Sequence, residues 1–153
     1  MIFAAIDPGS VNAAIAVYHD GTPVMIDDLR VVDKMISAAL LANVLKNMKV
    51  ETVVVENVHS MPKQGVSSMF KFGMGCGIIH GVAGALRLPV TLVTPTQWKG
   101  FFSIGPDKER ARELSIRLYP HLNRYLQRKK DVNRAEALLI GSWYYQMRIV
   151  RAP

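Results

Sequence analysis

The sequence predicts a three-layered α/β domain: a five-stranded mixed sheet with helices on both faces. Three observations carry this. Two apolar runs near the N-terminus, "IFAAID" (2–7) and "AAIAVYH" (13–19), are joined by the turn "PGSVN", and a third, "PVMIDDL" (23–29), follows the turn "HDGTP"; that is the pattern of a strand meander. Beyond residue 30, helical periodicities alternate with β-branched runs, as in sheets covered by helices. Finally, 153 residues, 50% of them apolar and 20% charged, are enough to bury one sizeable core.

Taken in order, apolar residues recur at helical spacing from Asp33 to Lys49 (Met35, Ile36, Ala39, Leu40, Val44, Leu45, Met48), predicting a helix with Asp33 as N-cap. "TVVVEN" (52–57) is a strand buried on both faces. The loop "VHSMPKQG" leads into a long glycine-rich helix over about 67–86. "VTLV" (90–93) is the fifth strand and "PTQWKGFF" a short helical turn. A basic helical segment from Asp107 breaks at Tyr119-Pro120, and a final helix covers about 132–148.

Composition narrows the function classes. Cys76 is the single cysteine, so no internal disulfide forms and a reducing compartment is expected. The start "MIFAAIDPGS" has no basic n-region, and the longest uncharged apolar run, "GMGCGIIHGVAGAL", is too short and glycine-rich to span a bilayer. A cytoplasmic protein without membrane contact is expected. The formal net charge is +7, and residues 1–98 carry seven basic and seven acidic residues against twelve and five in residues 99–153. An excess confined to the last third favours a polyanionic partner, nucleic acid first.

Against that basic background the acids stand out. Alternation along "IFAAID" puts Phe3, Ala5 and Asp7 on one face, and in "TVVVEN" Val54 and Glu56 share a face. Each strand thus ends on a carboxylate, at the edge where α/β sheets bind ligands. A single acid there can equally cap a neighbouring helix; two in equivalent places are harder to account for that way. Glu136 enters the last helix between Ala135 and Ala137, small residues that suit close approach. Asp131, five residues earlier, would point about 140° away in regular helix, so it converges with Glu136 only from the N-cap position or before; an ordinary N-cap is its alternative role. Gathered carboxylates repel unless a hard cation joins them, and Mg²⁺ takes few carboxylates and completes its shell with water and phosphate oxygens. His19, His59, His80 and His121 are scattered, giving no zinc spacing. Together these features point to metal-assisted hydrolysis of a nucleic-acid backbone.

The segments "IDPGSVNAAIAV", "VVVEN", "KQGVSSMFKFG", "VTPTQWK" and "RKKDVNRAEALLI", in this order over most of the chain, resemble the RuvC-type Holliday junction resolvases, and more closely their phage and chloroplast branch. The resemblance implies a ribonuclease H-like fold, a single nuclease domain over 1–153, and a homodimer. It also implies Mg²⁺ dependence, with Mn²⁺ as a substitute and two ions per site, and symmetric paired nicking of four-way DNA junctions. By position, Asp7, Glu56 and Glu136 are the metal-binding, catalytic carboxylates. For the fourth, RuvC has an acid three residues before its last one, where this chain has Asn133; the neighbouring branch has Asp or His where Asp131 stands. Asp131 is taken as the fourth ligand, with Asn133 as the neutral alternative. Other nucleases of this fold acting on branched DNA or RNA, and a non-catalytic junction-binding module, are the competing functions.

DNA contacts are expected in two regions. Lys63, Gln64, Ser67, Ser68 and Lys71 sit at a loop and helix start, where free N–H groups attract phosphate; a solvated loop is the plain alternative. Phe70 and Phe72 can stack on bases or pack in the core, and His59 can reach the scissile region. The second region is Lys99 and Lys108, with Lys129, Lys130 and Arg134 around the start of the last helix. Gly73, Gly77 and Gly81 make a flat helix face, which the resemblance assigns to the dimer interface and which packing on its own sheet explains equally.

Overall fold

Small and branched residues give the first strand two apolar faces, and the layers form around it. β1 (Ile2–Asp7), β2 (Ala14–His19) and β3 (Thr22–Asp28) are the expected antiparallel meander. Next come β4 (Val31–Val32) and β5 (Met35–Ile36), a two-stranded hairpin apart from the main sheet, then α1 (Ala38–Asn47) and β6 (Thr52–Glu56). α2 (Val66–Ala85), β7 (Val90–Val93), α3 (Pro95–Phe102) and α4 (Lys108–Leu118) follow. Two 3-10 turns (Pro120–Tyr125 and Lys129–Asp131) lead into α5 (Val132–Tyr145), which widens into a π turn over Gln146–Val150. The computed structural model describes residues 1–9, 12–59 and 62–150; Ser10 and Val11 of the first turn, and Ser60 and Met61 of the loop after β6, lie outside the described residues.

The main sheet has the order β3-β2-β1-β6-β7, antiparallel among β3, β2 and β1 and parallel from β1 through β6 to β7. Side-chain alternation divides its core in two. Phe3, Ala5, Tyr18 and Val54 face α3, α4 and α5 with Trp98, Leu138 and Leu139; Ala4, Ile6, Ile15, Val17, Val53 and Val55 face α1 and α2 with Leu41, Leu45, Ile79 and Val82. Each large side chain removed from water in this way contributes about 1.5–3 kcal/mol. The five-stranded, three-layered α/β architecture expected from the sequence is the one found.

One expected element differs. Asp33 does not cap a helix: Asp33 and Lys34 have φ of 50° and 64° and form the turn of the β4–β5 hairpin, since two left-handed residues match the twist of paired strands. The helix begins four residues later, where Ser37 Oγ accepts from Leu40 N at 3.3 Å. Apolar spacing ran through both segments and concealed the boundary. In α2, a Cβ added at Gly73, Gly77 or Gly81 would meet nothing within 4 Å, so this small-residue face does not pack on its own sheet.

α5 crosses β1 and β2 at unusually close range. A Cβ at Gly141 would lie 2.2 Å from Cε2 of Tyr18. Tyr18 cannot yield: it is wholly buried, stacked on Phe3 at 5.0 Å, and its hydroxyl donates to the Leu138 carbonyl at 2.6 Å. Ala135 and Ala137 have no exposure, so small residues bring the helix down onto the sheet on either side of Glu136. Overpacking of this kind costs about 1–3 kcal/mol. Gly141→Ala is therefore expected to lower stability by about that amount in urea unfolding, and an unchanged midpoint would show that α5 has room to move.

Candidate metal and nucleic-acid site

The last pair in register between β1 and β6 is Ile6 with Val55, and the chain leaves each strand one residue later, on Asp7 and Glu56. Both carboxylates are buried, at 2% and 7% exposure. α5 runs beneath the same sheet face and brings Glu136 to them, 4% exposed. Asp7, Glu56, Glu136 and Asn133 together line a cavity of about 520 Å³. Sequence positions 7, 56, 133 and 136 meet because strand alternation and helix packing address the same face.

Each acid is held by one donor. Asp7 Oδ1 accepts from Gly9 N at 2.9 Å. Gly9 has φ of 43°, and a Cβ there would fall 1.9 Å from the Asn12 carbonyl oxygen, so glycine is required for this tight Asp-Pro-Gly turn. Glu56 Oε1 accepts from the Trp98 indole at 2.8 Å. Glu136 Oε1 pairs with Lys99 Nζ at 3.4 Å. Asn133 Nδ2 donates to the Asn12 carbonyl at 2.5 Å, tying α5 to the β1–β2 turn.

Asp7 Oδ2 is buried with no N–H donor and with the Glu136 carboxyl as the side chain against Asp7, although a buried acceptor without a donor costs about 1–3 kcal/mol. Burial, with the charges of Glu136 and Glu56 added, pushes the Asp7 carboxyl well above the ordinary carboxylate range. Burial also raises Glu56, with the Trp98 bond pulling the other way. A site that penalises negative charge and leaves one oxygen without a donor has the chemistry of a hard-cation site. Among the described residues no group of three or more His, Cys, Asp or Glu side chains is placed to hold a metal ion. For Mg²⁺ none is needed, because it is bound through one or two carboxylates with water and phosphate completing the shell.

Asp131 is not brought to this cavity. Its carboxylate turns back onto Arg128, accepting from the backbone N at 2.9 Å and from the guanidinium at 2.8 Å, with Arg134 3.9 Å away. Burial acts to raise its carboxyl, but the Arg128 bonds outweigh burial and hold it below the ordinary range. Asn133, the alternative, is the residue that lines the cavity.

The expected DNA-contacting residues divide similarly. Lys99, Lys108 and Gln64 line the carboxylate cavity, with His59. Ser67, Lys71, Phe70 and Phe72 line a neighbouring cavity of about 390 Å³ between the β4–β5 hairpin and α2. Lys63, Ser68, Lys129 and Lys130 are exposed. Arg134 is not available to phosphate: it is turned inward, its side chain 13% exposed, donating to Asp28 at 2.9 and 3.1 Å and to the Tyr125 carbonyl at 3.2 Å. Trp98 was missed as a site residue, since an indole beside a lysine reads as core or as a stacking platform; only the fold shows its N–H facing a carboxylate.

No family model matches the sequence, and no curated protein sequence does. Solved structures do resemble the fold. RuvC of Thermus thermophilus in complex with Holliday junction substrate superposes with a TM-score of 0.71 at 20% identity, over 97% of this chain and 96% of that one. The fowlpox virus resolvase with its Holliday junction DNA gives 0.58 at 18% identity, over 97% and 99%. The yeast mitochondrial Holliday junction resolvase gives 0.58 at 13% identity, over 94% and 78%. No described helix is long and apolar enough to cross a membrane. The chain is thus built on the ribonuclease H-like fold that these resolvases share.

Proposed function

We propose that this chain is a single-domain, Mg²⁺-dependent endonuclease that resolves four-way DNA junctions as a homodimer. It would make paired symmetric nicks that leave 5′-phosphate and 3′-hydroxyl ends. One observation carries the reading: three buried carboxylates on one sheet face, one with an oxygen that has no N–H donor, in a cavity edged by Lys99 and Lys108. The fold likeness to proteins solved with Holliday junctions supports the substrate class. The open small-residue face of α2 supports the dimer, since a two-fold enzyme presents two equal sites to a pseudo-symmetric junction.

Asp7, Glu136 and Glu56 would hold the metal; Asn133 has its amide nitrogen committed to Asn12, so any contact from it falls to the amide oxygen. Mg²⁺ (or Mn²⁺), as two ions held there, would supply an activated water and positive charge for the departing 3′-oxygen. The protein's own share is positioning. Asp7 and Glu56 are fixed by strand ends, Glu136 by a helix pressed on the sheet, and Lys99 and Lys108 stand where phosphate must enter. Lys63, Gln64, Ser67, Ser68 and Lys71 on one side, and Lys129 and Lys130 on the other, extend the cationic and polar surface for the junction arms.

The commitment of Asp131 to Arg128 favours one second reading, a junction-binding module without catalysis. A four-way junction incubated with Mg²⁺ separates the two: the proposal expects paired nicks at opposing strands that ligase can reseal, with linear duplex left intact. Binding without any cut would establish the module; equal cutting of duplex would make the protein a nuclease of other specificity.

Asp7→Asn is expected to lower the cleavage rate roughly 10³-fold or more, the several kcal/mol that metal-borne charge supplies, while junction affinity by gel shift stays within about twofold. The same variant tests the pH behaviour. Because the folded form keeps the Asp7 proton to higher pH than the unfolded chain does, metal-free stability falls as pH rises from the ordinary carboxylate range to the raised folded value. Asp7→Asn removes that fall, so without metal it should melt above wild type at neutral pH. Mg²⁺ should stabilise wild type, by about 2.7 kcal/mol at a hundredfold excess over Kd, and leave the variant unmoved. A wild-type melting temperature indifferent to Mg²⁺ contradicts the metal site.

A further inference from the structure

Trp98 is the largest side chain with no solvent exposure, and its one polar atom meets a carboxylate. An indole N–H only donates, and once buried it must find an acceptor; here the acceptor is Glu56 Oε1 at 2.8 Å. The approach is built in by the chain. Glu56 pairs in register with Val93, the last residue of β7, and Asn57 N donates to the Val93 carbonyl at 2.7 Å. α3 starts directly from that point. Thr94 caps it through Gln97 N at 3.3 Å, Gln97 Oε1 accepts from Thr94 N at 2.8 Å, and Pro95 occupies the first turn. This reciprocal cap fixes the angle of α3, and with it the direction in which the indole points.

We propose that Trp98 is a positioning residue that fixes the rotation of the Glu56 carboxylate, committing Oε1 to the indole and leaving Oε2 for a divalent metal. The inference rests on the metal-site reading above. Partners of this kind behind a metal ligand govern its orientation, and their loss typically weakens metal affinity or activity by about 10–100-fold. α3 supplies a second restraint in the next residue, since Lys99 pairs with Glu136. One short helix therefore restrains two of the three acids.

Trp98→Phe keeps an apolar ring and removes the N–H. In calorimetric titration of DNA-free protein, this variant is expected to bind Mn²⁺ about 10–100-fold more weakly than wild type, and excess Mn²⁺ should restore most of its cleavage rate. Wild-type Mn²⁺ affinity in the folded variant overturns the proposal. An independent measurement uses the intact tryptophan, in case the variant does not fold. Trp98 and Trp143 are the two tryptophans, so the protein has two indole N–H resonances, assignable through Trp143→Phe. Mg²⁺ should move the Trp98 resonance, and Glu56→Gln should shift it without metal. A Trp98 resonance unmoved by either, at Mg²⁺ concentrations that raise the melting temperature, also overturns it. If wild type shows neither Mn²⁺ heat nor Mg²⁺ stabilisation, the metal-site reading itself falls, and Trp98 with it.

Discussion

The burial of three carboxylates against one face of the sheet is the constraint around which the rest is arranged. At an effective dielectric of about 20, two like charges about 4 Å apart repel by about 4 kcal/mol, and burial adds its own penalty. The structure answers with one donor for each acid: a backbone N–H for Asp7, an indole for Glu56, an ammonium for Glu136. That is enough to orient the side chains and too little to satisfy them, as Asp7 Oδ2, without an N–H donor, shows.

Orientation in turn depends on how firmly the scaffold is held. β1 and β6 are both interior strands with a partner on each side, so Asp7 and Glu56 each leave from a strand held on two edges. α5 is pressed onto β2 through Gly141 and Tyr18 and is tied at its first turns by Asn133 to the β1–β2 turn and by Arg134 to the end of β3. Glu136 lies between these anchor points. The basic residue in the middle of "VNRAEALL" is thus a strut between helix and sheet rather than a surface cation.

Much of this was legible in the sequence. Period-two alternation placed Asp7 with Phe3 and Ala5, and Glu56 with Val54, each at the end of its strand, and the alanines around Glu136 suited close approach; that the two strand faces are one is decided by the β1–β6 register. What was hidden depended on competition between partners. Asp131 and Arg134 carry charges whose use is decided by neighbours: Arg128, three residues away, captures the first, and Asp28, from a distant strand, captures the second. Residue type and position could not rank those partners above a metal or a phosphate. The β4–β5 hairpin was hidden for a different reason, because "VVDKMI" satisfies helical spacing as well as strand pairing, and only the left-handed turn at Asp33-Lys34 decides between them.

The distances along the chain have a kinetic consequence. Asp7 and Glu56 meet through a parallel pairing, which demands a long crossover, and Glu136 arrives only when the final helix docks. Contacts between such remote segments close late and slow the folding of the whole domain. A chain synthesised only as far as β7 has no α5, so it cannot place Glu136 beside Asp7 and Glu56.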